Sequence, residues 1–409
     1  MEAPIGIQEA RRRVLAEVRP LPAEDVPLDQ ALGRVLADDV TSPVDVPPFD
    51  ASAMDGFAVP SPAAGVLQVV GESRAGRPAD LALQPGTAIA ISTGAAIPDG
   101  AVAVVPVERT VPEGPSVRVD AVSEGANIRR AGEDVRAGRT VLTAGSELTA
   151  AALGVLASVG LSAARCARRP RSAVATTGDE LVEPGDELPA GHIWSSNSLA
   201  LAGQIETAGG ELVDRRTVPD DPAATRAALE AALDRADLVC VSGGVSVGSH
   251  DHVKGALEEL GVTKRFWGVA LKPGKPTWFG AAQTPAGRVL VFGLPGNPVS
   301  AMVTFHLFAR PALRALQGAD PYPGVATALL DEPLRRYRDR DQAVRCSLRA
   351  EEDGWHARST GAQESHVLTS MLGADALAIV PRGEGALERG ERVRLELLDD
   401  CSGSRRARR

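Results

Sequence analysis

The 409-residue chain is poor in several residue types, and each scarcity excludes a class of protein. Aromatic residues make up 3%, the four cysteines are widely spaced, and no apolar run approaches the roughly 20 residues that a membrane-spanning helix needs. The N-terminus carries acidic and basic residues but no apolar signal core. These absences argue against an integral membrane protein and a disulfide-stapled secreted one, so we expect a cytoplasmic location and reduced thiols.

Positive charge is also scarce. The net charge of −9 argues against bulk binding to nucleic acid or to an anionic membrane. The 44 basic residues include only four lysines, which leaves 40 arginines, and two of the lysines, Lys272 and Lys275, stand in the segment KPGKP. Lysine is a compact point charge whereas arginine is a planar fork. The placement of two of the four lysines in one segment indicates that compact ammonium groups are needed there. The alternative is that the lysines occur there by chance.

Several common signatures of catalysis and of phosphate binding are missing. The six histidines show no metal-ligand spacing, and no G-x-S-x-G segment marks a hydrolase nucleophile. The glycine-rich stretch 243–248 lacks the Lys and Ser/Thr of a P-loop, and it does not match G-x-G-x-x-G. We therefore expect neither a histidine metal site nor triad hydrolysis, and the stretch alone favours phosphate contact only slightly over a plain turn.

What the sequence does contain is a change of texture along the chain. Apolar residues at helical spacing predict a first helix over 7–18 and further helices over 30–37 and 148–160. Between residues 41 and 139 the pattern changes to short β-rich runs separated by Gly and Pro, which predicts a β-dominated insert. After residue 323 the texture is β again, and this segment suggests a small terminal barrel.

Between residues 172 and 314 predicted strands and helices alternate. The strands are expected at 172–177, 211–218, 237–242 and 289–294, and the helices at 199–208, 223–233, 253–260 and 299–310. Asp221-Pro222 and Asn297-Pro298 are start signals for two of these helices. Such alternation predicts a parallel sheet with helices on both faces.

Polar motifs follow the predicted strands of this sheet. Glu180 comes after the first strand, Asp220 after the second, and the glycine stretch with Asp251 after the third. The segment LPGNP ends the fourth. Ligands of such sheets bind beyond the carboxyl ends of the strands, and carboxylates there tolerate an anionic substrate if a hard cation such as Mg²⁺ bridges them. The alternative for Asp220 is a helix cap, and for Glu180 a surface position.

The β-rich insert has polar residues of its own. Asp55 lies in the turn-rich segment PPFDASAMDGFAV, Thr93 in ISTGAAIP, and Asp134 in ANIRRAGEDV. Turns explain the glycines and prolines, and Arg–Asp pairs of this kind are usually surface pairs that contribute little. Taken alone, these motifs predict little.

Together the motifs resemble one family. The segments AMDGFAV, ISTGAAIP, NIRRAGEDV, TTGDEL, GGVSVGSHD, KPGKP and LPGNPVS, in this order and spacing, resemble the MoeA/gephyrin E-domain family, the molybdopterin molybdenumtransferases. The resemblance spans nearly the whole chain. Phe57 stands where the family often has Tyr, and the Arg-rich tail 401–409 lies outside the pattern.

The resemblance implies a multidomain fold of α/β and β parts. A three-layer α/β domain similar to the molybdopterin adenylyltransferase fold takes 1–19 and 170–318, and a small discontinuous linking domain takes 20–44 and 140–169. A β-rich inserted domain takes 45–139, and a C-terminal β-barrel takes 319–400. The family also implies a homodimer whose active cleft lies between the α/β domain of one subunit and the β-rich domain of the other.

The implied reaction inserts molybdenum from molybdate into adenylylated molybdopterin, depends on Mg²⁺ and releases AMP. The implied catalytic residues are Asp55, Thr93, Asp134, Glu180, Asp220, Asp251, Lys272 and Lys275, with Glu180 and Asp251 as the magnesium ligands. The implied cofactor-binding residues are Gly243, Gly244, Ser246, Gly248, Pro295, Gly296, Asn297, Pro298 and Ser365.

Two alternatives to this function remain open. The α/β domain alone resembles molybdopterin adenylyltransferase, which would make the adenylate and which is also a possible partner. A gephyrin-like scaffold without catalysis is the other alternative. The β-rich motifs argue for the insertion step, and the full set of carboxylates and lysines argues against a purely structural role.

Overall fold

The computed structural model describes residues 3–244 and 252–398. The chain divides into two compact units. The first, which we call the α/β–barrel unit, comprises Met1–Glu24, Gly33–Ala37 and Cys166–Arg409. The second, the β-rich unit, comprises Asp25–Leu32 and Asp38–Arg165. Two short strands, Ala23–Pro27 and Ala163–Ala167, occur where the chain passes from one unit to the other.

A six-stranded central sheet organises the α/β–barrel unit. Its spatial order is Glu211–Val218, Arg171–Thr177, Leu238–Ser242, Gly287–Leu294, Trp278–Thr284 and Thr263–Trp267. The first four strands are parallel, as the alternating pattern predicts, and the last two are antiparallel additions at one edge. A short parallel pair, Leu181–Val182 with Ile193–Trp194, lies outside this sheet.

Helices cover both faces of the central sheet, which confirms the predicted three layers. Leu238 and Cys240 belong to one hydrophobic core, whereas Val239 and Val241 belong to another. All five residues of this strand are buried, because a parallel strand packed on both faces needs a continuous apolar run. The helices of the unit are Ile7–Glu17, Ser196–Thr207, Pro222–Arg235, His252–Glu259, Pro298–Thr304 and Arg310–Leu316.

The helix predicted over 299–310 is longer and less regular than expected. A π-helical segment, Phe305–Ala309, joins Pro298–Thr304 to Arg310–Leu316. Pro311 has no backbone N–H and therefore leaves the carbonyl of Leu307 without its usual helical donor. The Nε of the buried Arg11 donates to that carbonyl at 3.1 Å. The first helix thus satisfies the group that the proline leaves open.

The C-terminal segment forms the predicted barrel. Five strands pair in a closed ring in the order Asp341–Glu351, Gly354–Ser359, Val325–Leu330, Arg392–Leu397 and Ala376–Val380. The two-residue strand Leu271–Lys272 joins the first of them in parallel. The pair Leu334–Arg335 with Ala386–Leu387 and the 3-10 helix Leu368–Met371 complete this region.

The β-rich unit is built on a second six-stranded sheet, which confirms the β-dominated insert. Its order is Ala103–Pro106, Gly56–Val59, Thr87–Ile91, Gly65–Ser73, Ser116–Val119 and Thr110–Glu113. Ala58 and Val59 point into different small cores. The remaining elements are the strand pairs Ala51–Ser52 with Ile128–Arg129 and Val40–Thr41 with Thr140–Leu142, the helix Ala150–Ser158, and the 3-10 helices Leu28–Gln30 and Val107–Arg109.

The helix predicted over 30–37 is wrong. Only the 3-10 helix Leu28–Gln30 forms, and the chain then leaves helical geometry. Gly33 has a φ of +70°, and the carbonyl of Val35 accepts a hydrogen bond from the backbone N–H of Ala167 at 2.9 Å. A long-range backbone hydrogen bond therefore overrides the local helical spacing.

The described cysteines are unpaired thiols, as expected. Cys166, Cys240 and Cys346 are buried, and burial raises the pKa of each thiol, to about 12 for Cys346. Across the described residues, no helix has the length and apolar character that crossing a membrane would require.

Candidate functional site

Three neighbouring parallel strands end at the same edge of the central sheet. Thr176 pairs with Ser242, and Ser242 pairs with Leu294. The segments that follow these strands, 178–180, 243–244 and 295–298, are therefore brought together, as the sequence predicts. Ligand sites of such sheets lie at this carboxyl edge. We call this region the strand-end site.

Two glycines form the turn after the strand Leu238–Ser242. Gly243 has a φ of +96° and Gly244 a φ of +62°, conformations that residues with a side chain rarely adopt. A Cβ at position 243 would lie 2.6 Å from the carbonyl oxygen of Thr177, and one at position 244 would lie 2.5 Å from Val253 Cγ2. Both positions therefore require glycine. Ser246, Gly248 and Asp251, which were predicted to belong to the same loop, lie outside the described residues.

An amide network that the sequence analysis missed ties the glycine turn to LPGNP. Asn197 Nδ2 donates to Ser242 Oγ at 2.9 Å and to the carbonyl of Gly296 at 2.7 Å. Ser242 Oγ in turn donates to the carbonyl of Pro295 at 3.1 Å. Asn197 lies in the first turn of the helix Ser196–Thr207. The available signal was an Asn just before the helix predicted over 199–208.

Asn297 links LPGNP to the loop that carries Ser365. The sequence predicts Asn297 as a helix cap, but its side chain caps no backbone group of the helix Pro298–Thr304. Its Nδ2 instead donates to Ser365 Oγ at 2.9 Å, and the backbone N–H of Val299 donates to the carbonyl of Ser365 at 3.1 Å. The predicted cofactor-binding residues Asn297 and Ser365 are thus in direct contact.

The carboxylates of the strand-end site divide into two kinds. Asp221 is the helix cap, since its Oδ1 accepts from the backbone N–H of Ala224 at 2.7 Å. Asp220 is half-buried, and its backbone N–H donates to Asp179 Oδ1 at 2.9 Å. Glu180 is exposed and folds back over Gly178, where an added Cβ would lie 2.5 Å from Glu180 Oε2. Glu180 and Asp220 are therefore available for a ligand.

Lys272 belongs to a cluster with residues near the start of the barrel, which sequence reasoning missed. Its Nζ donates to Tyr337 Oη at 2.6 Å and lies 4.5 Å from the centre of the Tyr337 ring. The guanidinium groups of Arg335 and Arg340 lie 5.4 and 6.0 Å from the same ring centre. Three cations around one aromatic ring form a strongly basic surface suited to an oxyanion.

Lys275 is exposed at the edge of this basic cluster. The segment between the two lysines turns at Gly274, which packs against Thr304 at the end of the helix that begins at Pro298. Hydrogen bonds from Arg340, together with the charge of Lys275, lower the pKa of Asp339. The cluster therefore contains one carboxylate, Asp339, which partly offsets its positive charge.

In the β-rich unit two of the three predicted residues meet. The backbone N–H of Thr93 donates to Asp55 Oδ1 at 2.6 Å, and both residues are exposed. Asp134 lies in a separate turn, where its backbone N–H donates to the carbonyl of Val46 at 3.0 Å. Among the described residues of this unit, no hydrogen bond joins the Asp134 side chain to Asp55 or Thr93.

The oxygen donors of the strand-end site fit a hard cation in their chemistry. Mg²⁺ takes one or two carboxylates and keeps several waters or substrate oxygens, and Glu180 with Asp220 offers carboxylates of this kind. A different group was not expected from the sequence: Glu351, Asp353 and His356 have ligand atoms within 4.8 Å of one another. His356 Nδ1 lies 3.0 Å from Asp331 Oδ1, and hydrogen bonds to Asp331 and Asp353 raise the pKa of His356.

Comparisons with known proteins cover almost the whole chain. Residues 5–160 match the MoeA N-terminal region (domain I and II), residues 173–315 match a probable molybdopterin binding domain, and residues 327–398 match the MoeA C-terminal region (domain IV). The molybdopterin molybdenumtransferase of Haemophilus influenzae is 36% identical, with 98% of this chain and 100% of that protein covered. Molybdopterin molybdenumtransferase 2 of Mycobacterium tuberculosis is 40% identical, with coverages of 96% and 99%.

A solved structure gives the same result for the fold. The molybdopterin biosynthesis MoeA protein of Pyrococcus horikoshii is 31% identical, with a TM-score of 0.82 over 96% of this chain and 100% of that one. These relatives are more than 30% identical over nearly their full length. The similarity seen in the short motifs therefore extends over the whole chain. The chain belongs to the MoeA family, to which curated molybdopterin molybdenumtransferases also belong.

Proposed function

We propose that this protein is a molybdopterin molybdenumtransferase of molybdenum cofactor biosynthesis. In the proposed reaction it takes molybdate and adenylylated molybdopterin, transfers molybdenum to the dithiolene and releases AMP in a magnesium-dependent step in the cytoplasm. The observation that carries the proposal is the similarity, over essentially the full length, to curated enzymes of that name. The strand-end site supports it, because carboxylates and a glycine turn meet at the edge where such sheets bind ligands.

The residues of the strand-end site have distinct proposed roles. The turn at Gly243 and Gly244 lets the backbone approach a phosphate closely, and Pro295–Pro298 form the adjoining wall. Asn297 and Ser365 share one hydrogen bond, so a ligand that contacts either residue also orients the other. Ser246 and Gly248 are proposed to extend the same wall.

Magnesium fits beside Glu180, with Asp220 nearby and Asp251 as the second proposed ligand. When bound, the ion would neutralise phosphate charge that these carboxylates would otherwise repel. The chain's own contribution is to fix the backbone of both residues: the carbonyl of Glu180 accepts from the backbone N–H of Ile193 at 2.8 Å, and the backbone N–H of Asp220 donates to Asp179 Oδ1 at 2.9 Å. These contacts keep the carboxylates at the carboxyl edge of the sheet.

Lys272 and Lys275 are proposed to bind molybdate. The Tyr337 hydroxyl and ring hold Lys272, so its charge is positioned before the anion arrives. Arg340 adds positive charge on the same surface, although its pairing with Asp339 partly offsets that charge. An oxyanion that bears two negative charges matches a site with several cations, and the remaining anionic groups of the substrate are better matched by backbone N–H groups and magnesium.

A homodimer with a shared cleft is proposed for the active form. Asp55, Thr93 and Asp134 of one subunit would face the strand-end site of the other. Exposed apolar side chains support self-association: Ile193, Trp194 and Leu199 are 56%, 50% and 50% exposed within one short stretch. Light scattering after gel filtration should give twice the 42.4-kDa chain mass, and Trp194→Glu should shift it towards one chain mass.

The reaction itself is tested with purified protein under anaerobic conditions. Incubation with adenylylated molybdopterin, molybdate and Mg²⁺ should release AMP, and omission of molybdate should abolish the release. Consumption of ATP with formation of the adenylate would identify a molybdopterin adenylyltransferase instead. If the protein neither releases AMP from adenylylated molybdopterin nor consumes ATP, a gephyrin-like scaffold without catalysis would be favoured.

A further inference from the structure

Two consecutive threonines end the strand Arg171–Thr177, and they have opposite surroundings. Thr176 is 1% exposed, and its Oγ1 lies 3.2 Å from Ser195 Oγ and 3.2 Å from Thr217 Oγ1. Thr217 Oγ1 in turn donates to Glu183 Oε1 at 2.6 Å. The Thr176 hydroxyl is therefore fully used inside the protein.

The Thr177 hydroxyl has no such partner. The residue is 9% exposed, and its Oγ1 is buried without a hydrogen bond to any part of the chain that the structure describes. Buried hydroxyls are nearly always hydrogen-bonded, because losing water without gaining a partner costs free energy. An exception at a strand end calls for a partner that arrives from outside the chain.

The glycine turn of the strand-end site packs directly against this hydroxyl. A Cβ at position 243 would lie 2.7 Å from Thr177 Oγ1, and one at position 244 would lie 3.1 Å from it. The two glycines thus keep side-chain atoms away from the oxygen. Their second effect, beyond backbone geometry, is to cover this oxygen with backbone alone, so that neither glycine supplies a side-chain partner for it.

We propose that Thr177 Oγ1 contacts the substrate and donates a hydrogen bond to a phosphoryl oxygen of adenylylated molybdopterin. The inference rests on the proposed function. A hydroxyl suits this position because it donates without adding charge beside Asp179 and Glu180. Binding of the phosphate would satisfy the one hydroxyl of this threonine pair that folding leaves open.

The test compares three variants in the AMP-release assay. Thr177→Val has nearly the same shape without the hydroxyl, Thr177→Ser keeps the hydroxyl, and Thr176→Val removes the satisfied neighbour. Thr177→Val should raise KM for adenylylated molybdopterin about tenfold, as expected for one hydrogen bond to a charged group, and change kcat less than about twofold. Thr177→Ser should stay within about twofold of the wild-type KM.

Thermal unfolding separates a substrate contact from a structural role. Thr177→Val should melt at or above the wild-type temperature, since it removes an unpaired buried group, whereas Thr176→Val should melt lower and keep a wild-type KM. A wild-type KM in Thr177→Val would overturn this inference but not the proposed function. A melting temperature of Thr177→Val that is lowered as in Thr176→Val would do the same. A wild-type protein that releases no AMP would overturn the proposed function and this inference with it.

Discussion

The two ends of the strand Arg171–Thr177 differ in how their polar groups are satisfied. At the amino end the buried Asp237 accepts from Arg168 Nη1 and Nη2 at 2.9 and 3.0 Å and from the backbone N–H of Arg171 at 2.8 Å. At the carboxyl end the Thr177 hydroxyl has no partner among the described residues, and Glu180 is exposed. The polar groups at the amino end of the strand therefore all have hydrogen-bond partners, whereas the carboxyl end keeps polar groups without one in the part of the chain that the structure describes.

The pKa of Asp237 shows how complete the amino-end network is. Burial alone would raise this pKa, but hydrogen bonds from Arg168 and Arg171 outweigh burial and lower it. A carboxylate that stays ionised while only 6% exposed has all its partners in place. The amino end is thus built for stability, whereas the carboxyl end keeps unpaired groups that a ligand can satisfy.

The largest effect is expected at the carboxyl end. Glu180→Gln should lower the rate of AMP release at least about 100-fold, because it removes the charge that would hold magnesium while it keeps the side-chain shape. The melting temperature should not change, since Glu180 is exposed. The exposed Glu206→Gln in the helix Ser196–Thr207 is the matched control, and equal activity of the two variants would argue against a role for Glu180.

At the amino end the expected loss is one of stability. Asp237→Ala should lower the free energy of unfolding by about 2 kcal/mol, less than the ~3–5 kcal/mol of a fully buried pair, because Arg168 and Arg171 are partly exposed. Urea unfolding measures the change, and Asp237→Asn should lose less because it keeps one acceptor. KM and kcat of the folded fraction should stay at wild-type values. A loss of activity in the folded fraction would contradict a purely structural role for the amino end of the strand.

A smaller effect is expected at the basic cluster. Lys272→Met should raise KM for molybdate about tenfold, since it removes one charge-assisted hydrogen bond. KM for adenylylated molybdopterin should change little. Lys264→Met, in the edge strand Thr263–Trp267, serves as the control at an exposed position outside this cluster. A similar KM for molybdate in both variants would show that Lys272 does not bind molybdate.

The smallest effect is a pH dependence at the amino end. Because the pKa of Asp237 is lower in the folded chain than its ordinary value of 3.8, its stabilisation is fully present above about pH 4 and is lost as pH falls through the folded pKa. The difference in unfolding free energy between wild type and Asp237→Asn should therefore be constant from pH 7 to about pH 5 and shrink towards about pH 3. A difference that grows on acidification would contradict the lowered pKa.

The central sheet was predictable because its signal is local. The continuous apolar run in Leu238–Ser242 indicates a strand that is buried on both faces, and Pro after Asp221 marks a helix start that the structure confirms. The position of the strand-end site at the carboxyl edge of the central sheet follows from this topology alone. The error over 30–37 had the opposite cause, since a hydrogen bond from Ala167 decides the conformation of that segment.

The contacts within the site were only partly predictable. Asp55 and Thr93 were identified by their motifs, and they meet in the structure. The partners Asn197 of Ser242 and Tyr337 of Lys272 are 45 and 65 residues away in the sequence. No spacing rule links such distant positions, so these contacts become visible only when the fold brings the segments together.

The most direct test of the strand-end site is a crystal structure of the protein with adenylylated molybdopterin, Mg²⁺ and molybdate. We expect phosphate density between Thr177, the turn at Gly243 and Gly244, and LPGNP, with magnesium at Glu180. Density for the same ligand in the cavity of about 300 Å³ lined by Gln204, Met302 and His306 instead would contradict this expectation.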